Sequence, residues 1–235
     1  LSTLGLDEDI SYRFSKWDEN DKEKYIGSPQ EWEEVQGRMR QILDDLNIDY
    51  KEASGEAAFY GPKLDIQIKN VHGKEDTLIT IQIDFQLAER FGMTYVDAEG
   101  QTKYPYVIHR TSIGCYERTL ALLLEKYAGA LPTWLMPEQV RVLPISDRLI
   151  DDAKKVEEQL SRAGIRVSCD TRSEKVGYKI REAQLEKIPY MLVIGDKEVE
   201  EGTVSVRSRK EGDLGSMPVE SFLSKILQEI ATKAK

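Results

Sequence analysis

The spacing of hydrophobic residues changes repeatedly along the chain, and each change predicts an element. Polar positions dominate residues 1–27, where only Ile10 to Phe14 alternate enough for a short strand and the run DENDKEK follows. Ser28-Pro29-Gln30-Glu31 then has the form of a capping box, with Ser as N-cap, Pro at the first helical position and Glu at the third. Trp32, Val35, Met39, Ile42, Leu43 and Leu46 recur at helical spacing, so the helix is expected to cover a core.

From Tyr50 the period becomes two. Tyr50 to Ala53, Ala58 to Tyr60 and Leu64 to Ile68 read as strands, with Gly61-Pro62 as the turn between the last two. In Leu78 to Phe85 the residues Ile79, Ile81, Ile83 and Phe85 share one face, and Thr80, Gln82 and Asp84 the other. Tyr104 to Ile108 predicts a further strand, and Ser112 to Tyr127 a helix against the sheet. Strands joined mostly by turns predict antiparallel pairing.

The two prolines in AGALPTWLMPEQ, residues 128–139, interrupt this pattern, which places a domain boundary near Pro137. Beyond it strands and helices alternate: Val140 to Leu143, Leu149 to Ala163, Ile165 to Cys169, Val176 to Leu185 and Tyr190 to Ile194. That rhythm predicts parallel strands with crossover helices. Gly195 and Asp196 turn into a shorter strand, Thr203 to Arg207, and a closing helix after Pro218 shows Phe222, Leu223, Ile226, Leu227 and Ile230 on one face.

At 235 residues, 40% hydrophobic and 32% charged, the chain is long enough for two cores. No apolar run has membrane-spanning length and no signal-like start is present, so a cytoplasmic setting without membrane partners is expected. Cys115 and Cys169 form no CxxC pattern, which suits a reducing compartment. The net charge of −9 is uneven: residues 139–235 carry 18 Lys and Arg against 17 Asp and Glu, leaving 15 against 25 before them. An acidic chain does not suit indiscriminate nucleic-acid binding, and no DNA partner is expected, but a local basic surface on the second half fits the count.

The candidate chemistry lies on two segments. YVIHRTSIGCYER, Tyr106 to Arg118, delivers His109 and Arg110 from a strand to a turn opening the helix that carries Arg118, which predicts a metal ligand and two guanidinium groups at one spot. Alone, this segment reads better as a buried histidine and two solvated arginines, since a lone histidine is more often structural than a ligand. AFYGPK places Tyr60 and Lys63 near the polar face of Thr80, Gln82 and Asp84. Hydroxyl, amide, carboxylate and cationic groups on one face suit a zwitterion beside a polyphosphate.

GEAAFYGPKLD, TIQIDF, VIHRTSIGCYER, PTWL, AGIRV, KVGYKIREAQLEKIPYMLVIGDKEVE and GTVSVRSR, in this order, resemble the carboxy-terminal part of the threonyl-tRNA synthetase family of class II aminoacyl-tRNA synthetases. The resemblance covers nearly the whole chain, more weakly before residue 50. It implies an α/β chain: part of an antiparallel class II catalytic sheet with helices over 1–137, then a mixed, mainly parallel α/β anticodon-binding domain over 138–235.

The activity implied is ATP-dependent conversion of threonine to threonyl-adenylate, then transfer to the terminal ribose of tRNA. VIHRTSIGCYER resembles the third class II signature motif, whose closing arginine, here Arg118, contacts ATP phosphates. His109 resembles one of three protein ligands of a catalytic zinc ion that takes the amino group and hydroxyl of threonine. An open zinc position distinguishes that hydroxyl from valine's methyl in a way hydrophobic packing does not. Tyr60, Lys63, Thr80 and Gln82 match positions around threonine, adenylate and the accepting ribose, with Lys63 stabilising phosphate charge and Gln82 orienting substrate; magnesium accompanies ATP.

Two positions depart from the family pattern near ATP: Thr77 stands where a glutamine is usual, and Cys115 where a serine is common, so one hydrogen bond to ATP weakens. In the second domain Ser173, Lys175, Arg181, Lys187, Glu198 and Arg207 match positions that face anticodon bases and backbone, with Ser173 replacing Asn and Lys187 replacing Arg. Such residues suit a single-stranded loop. His72, in a turn, and Cys169, ending a strand, read as structural.

The chain begins with Leu and lacks the family's other two zinc ligands and its first two signature motifs, so it reads as a fragment of a homodimeric parent enzyme, inactive alone and without stoichiometric zinc. The alternative is a non-catalytic tRNA-binding or regulatory paralogue. A proline-specific relative is disfavoured by His109.

Overall fold

A computed structural model describes residues 1–8, 10–21 and 23–234; Lys22, inside the charge run, lies outside them. The described chain divides into two compact units, Leu1–Lys126 and Tyr127–Lys235.

In the first unit, β1 (Ile10–Lys16), α1 (Pro29–Asp45) and β2 (Tyr50–Ser54) are followed by β3 (Lys63–Lys69) and β4 (Glu75–Asp84). The one-turn helix α2 (Leu87–Arg90), the ribbon of β5 (Tyr95–Val96) and β6 (Thr102–Lys103), then β7 (Val107–Arg110) and α3 (Tyr116–Lys126) complete it. The five-stranded sheet runs β2-β1-β3-β4-β7. Its pairs are antiparallel except β1 with β2, which run parallel because α1 crosses between them. The capping box forms: Ser28 Oγ accepts from the Glu31 backbone, and the Glu31 carboxylate accepts from the Ser28 backbone. Trp32, Val35, Met39 and Leu43 are buried under α1, and the Trp32 ring stacks on Trp17 at 5.6 Å.

Three sequence expectations change here. Ala58 to Tyr60 is not a strand; only an isolated bridge joins Ala58 and Gly61, because the chain turns as Gly61 closes on β4. Of the expected strand at Tyr104 to Ile108 only Val107 and Ile108 form, as the start of β7, because Pro105 has no N–H to donate. The helix expected from Ser112 begins only at Tyr116, because Gly114 has φ 74°, outside the helical region.

The second unit contains β8 (Val140–Pro144), α4 (Ile150–Arg162), β9 (Val167–Cys169), α5 (Val176–Leu185), β10 (Tyr190–Ile194), α6 (Asp196–Glu201), β11 (Thr203–Ser208), β12 (Gly212–Pro218) and α7 (Val219–Thr232). Strand order is β12-β11-β10-β8-β9, with β9, β8 and β10 parallel and β10, β11 and β12 antiparallel. Ala153 and Leu160 of α4 and Phe222 and Ile226 of α7 share a core with Val142, Leu192, Val204 and Val206. Ala183 of α5 packs with Leu143 and Met191, whose place in the strand alternation puts them on the opposite face. The sequence pattern missed α6 and β12. GDLGSMP has no apolar alternation and becomes a strand because the edge of β11 supplies its partners.

Cys169 is half-buried, and burial pushes its thiol up to about 11, whereas Cys115 is exposed. At pH 8 the Cys169 thiolate is therefore scarce. Iodoacetamide is expected to modify Cys115 well before Cys169, as read by peptide mass spectrometry; equal labelling rates would contradict the burial of Cys169.

Candidate functional site

Lys63, Gln82 and His109 form one row across β3, β4 and β7, since Lys63 pairs with Gln82 and Gln82 with His109. Asp65 and Thr80 form the next row. Alternation puts these side chains on the face opposite Leu64 and Ile81, which pack with Met39 and Leu43 of α1.

The polar face is internally bonded. Tyr60 donates its hydroxyl to Gln82 Oε1 at 2.7 Å, which leaves the Gln82 amide N–H groups for a ligand. Burial, then the Asp84 carboxylate, raise the Tyr60 phenol above its ordinary value and keep it a donor. Asp65, 1% exposed, accepts from Lys63 Nζ at 2.7 Å, Thr80 Oγ1 at 2.8 Å and Ser15 Oγ at 3.0 Å. It therefore sets the positions of two sequence-identified residues.

Asp84, fully buried, accepts from the Gln86 and Leu87 backbones with Oδ1. Its Oδ2 lies 2.9 Å from His109 Nε2, so the imidazole N–H donates to the carboxylate. The His109 ring lies 5.6 Å from that of Tyr60. Among the described residues no group of three His, Cys, Asp or Glu side chains is placed to hold a metal ion. His109 is held by a carboxylate as metal-ligating histidines commonly are, but the described residues place no second and third ligand beside it.

Arg118 is not beside His109. Its Nη1 donates to the Thr77 carbonyl at 2.6 Å, five positions along β4 from Gln82 and about 17 Å away at strand rise. Arg110 pairs with Ile81, one position from the His109 row, so its side chain leaves from the other face. The expectation of two guanidinium groups and the histidine at one spot is thus corrected by register. Thr77 Oγ1 accepts from Gln67 Nε2 at 2.8 Å, and the Cys115 thiol donates to the Glu117 carboxylate at 2.8 Å.

Asp65 was missing from the sequence-derived set. The available signal was its phase: in KLDIQIK, Lys63, Asp65 and Gln67 alternate with Leu64, Ile66 and Ile68.

In the second unit, Lys179 is 2% exposed and donates Nζ to the carbonyls of Asp170, at 3.0 Å, and Pro144, at 3.3 Å. It ties the carboxyl ends of β8 and β9, the edge where ligands of parallel sheets commonly bind. Ser173 donates to Asp147 Oδ2 at 2.9 Å, joining the loops after the same strands. Lys175 is the N-cap residue of α5, and Arg181 is exposed on that helix. Glu198 accepts from Gly195 N at 3.0 Å and so closes the first turn of α6.

Lys187 lies just past the C-cap of α5, with φ 62°. Arg207 pairs with Met191 in the ladder and lies 3.3 Å from the Asp213 carboxylate. Because Val204 and Val206 point into the core with α4 and α7, Arg207 points to the α5 side. Ser173, Lys175 and Glu198 therefore follow the carboxyl ends of the strands, whereas Lys187 and Arg207 lie toward the amino end of β10.

Two family descriptions match: tRNA synthetase class II core domain (G, H, P, S and T) over residues 12–127, and anticodon binding domain over residues 139–229. Threonine–tRNA ligase of Clostridium perfringens strain SM101 is 64% identical over 233 residues, 99% of this chain and 36% of that protein. The corresponding ligase of Clostridium botulinum strain Eklund 17B is 62% identical over 235 residues, 100% of this chain and again 36% of the relative. The chain thus spans about a third of the length of these relatives. Among solved structures, the RNA binding domain of threonyl-tRNA synthetase from Cryptosporidium parvum Iowa II superposes with a TM-score of 0.87 at 34% identity, over 97% of this chain and 56% of that one. No helix of the described residues is long and apolar enough to cross a membrane.

Proposed function

The chain belongs to the threonyl-tRNA synthetase family of class II synthetases, and we propose that it supplies the later part of the catalytic domain, over residues 1–137, and an anticodon-binding domain, over residues 138–235. The observation that carries this reading is the bonded polar face, in which two buried carboxylates fix Lys63, Thr80 and His109 beside the Tyr60–Gln82 pair.

The reaction is threonine activation followed by transfer. The threonine carboxylate oxygen attacks the α-phosphorus of ATP, and pyrophosphate leaves; a hydroxyl of the terminal ribose of tRNA then attacks the acyl carbon, and AMP leaves. Lys63 stabilises charge developing on phosphate, and the Gln82 amide N–H groups orient the substrate carbonyl or ribose. Tyr60 and Thr80 lie on the same polar face, and Arg118 exchanges its Thr77 carbonyl for the outer phosphates of ATP, which magnesium accompanies. Ser173, Lys175, Arg181, Lys187, Glu198 and Arg207 face the anticodon loop. The parent enzyme is a cytoplasmic homodimer.

Among the described residues no set of three side chains is placed to hold a metal ion for threonine selection, and on this reading the 235 residues alone do not activate threonine. In threonine-dependent exchange of pyrophosphate into ATP, a full-length ligase containing these residues is active, and Lys63→Ala lowers its kcat by roughly 10²–10³-fold. The 235-residue chain shows no exchange. Exchange by the chain alone, or an unchanged rate in the Lys63 variant, would overturn these assignments.

A further inference from the structure

Tyr178 is a large aromatic side chain left 46% exposed in the first turn of α5. The inward face of that helix is taken by Lys179, Ile180 and Ala183, which places Tyr178 and Arg181, three residues apart, on one outward face. Beside the ring lies Arg172, with Cζ 5.9 Å from the ring centroid. The guanidinium is not free to swing: Nε donates to Asp170 Oδ1 at 2.9 Å and Nη2 to Oδ2 at 2.6 Å, a bidentate pair with a carboxyl side chain only 4% exposed. Asp170 is in turn held by its place at the end of β9, where its carbonyl accepts from the buried ammonium of Lys179.

An exposed tyrosine next to a guanidinium fixed in one plane is a poor use of surface for folding, since neither side chain adds to the core. It suits stacking. A base laid on the open part of the ring gains π contact with Tyr178 and cation–π contact with Arg172, while Lys175 and Arg181 on either side meet its phosphates. The Asp170 carboxylate holds the guanidinium of Arg172 in a fixed plane, so that its cation–π contact needs no reorientation.

We propose that Arg172 and Tyr178 form a stacking platform for one unpaired nucleobase of a single-stranded RNA loop. This rests on the reading that the second unit binds the anticodon loop, and adds to it a subsite that reads the face of a base rather than its edge.

The test uses the complete 235-residue chain and a hairpin RNA bearing the threonine anticodon loop, with 2-aminopurine placed at one loop position at a time. Binding by the native chain changes the fluorescence of at least one loop position through stacking. Tyr178→Ala abolishes that change and weakens binding roughly tenfold, whereas Tyr178→Phe keeps the stacking change and binds within about twofold of native. Arg181→Ala weakens binding while the stacking change persists at saturation. If the hairpin binds but Tyr178→Ala leaves the fluorescence change and affinity intact, the platform is overturned and the anticodon reading survives. If the native chain binds this hairpin no better than one of altered anticodon, and Arg181→Ala has no effect, both are overturned.

Discussion

Asp65→Ala is expected to lower the unfolding free energy of the first unit by about 3–5 kcal/mol, because it leaves a partly buried ammonium and a buried hydroxyl without their acceptor. The Lys63 side chain is 22% exposed and faces an almost fully buried carboxylate at 2.7 Å. Ser15, itself fully buried, donates to the same oxygen, and Thr80 to the other. Asp65→Asn retains one carbonyl acceptor and the volume but not the charge, so it is expected to fall between alanine and native. Urea titration followed by fluorescence reports this through Trp17 and Trp32, buried in the first unit. An unchanged midpoint in Asp65→Ala would mean that the carboxylate does not organise this face. The same variant in a full-length ligase should lose pyrophosphate exchange along with Lys63→Ala, since both remove the fixed ammonium.

Gly114→Ala carries the second large effect. A Cβ at this position would lie 1.9 Å from the Leu78 carbonyl oxygen and 3.1 Å from its carbon, with φ at 74°. The left-handed conformation alone costs a non-glycine residue about 1–2 kcal/mol. The clash is with backbone, which cannot rotate aside, so the turn between β7 and α3 must move away from β4 and carry Arg118 from the Thr77 carbonyl. Gly92→Ala separates the two contributions, because Gly92 has φ 63° and nothing within 4 Å of a built Cβ. Thermal unfolding is expected to show a drop of roughly 4–8 °C for Gly92→Ala and more than twice that for Gly114→Ala. Equal drops would show that the approach to Leu78 is not what requires glycine.

These effects indicate which parts of the site could be read from the chain. The group of Tyr60, Lys63, Thr80 and Gln82 was legible because alternation along β4 and the AFYGPK turn are local patterns, and the structure sets these residues around one face. Asp84 was legible as a member of that face but not as the partner of His109, which lies 25 residues onward. Asp65 was passed over because one Asp in a strand carries no local mark of burial. The joint placement of Arg110, His109 and Arg118 failed for a related reason: neighbours in sequence on a strand leave from opposite faces, and the turn after β7 runs back along β4 toward Thr77.

In the second unit the crossover rhythm announced β8, α4, β9, α5 and β10, whereas α6 and β12 were not announced. Their strand and helix states depend on the glycine turns and the open edge of β11 more than on their own composition.

The sequence by itself determined the periodic elements, the capping box at Ser28, the parallel character of β8, β9 and β10, and family membership, since all of these reside in residues a few positions apart or in the order of long motifs. Only the tertiary structure decided the parallel pairing of β2, the two buried carboxylates, the separation of Arg118 from His109, and the contact of Arg172 with Tyr178. Those depend on strand register and on which surfaces are removed from water. A one-residue shift in register would send every one of these strand side chains to the other face without altering a local pattern.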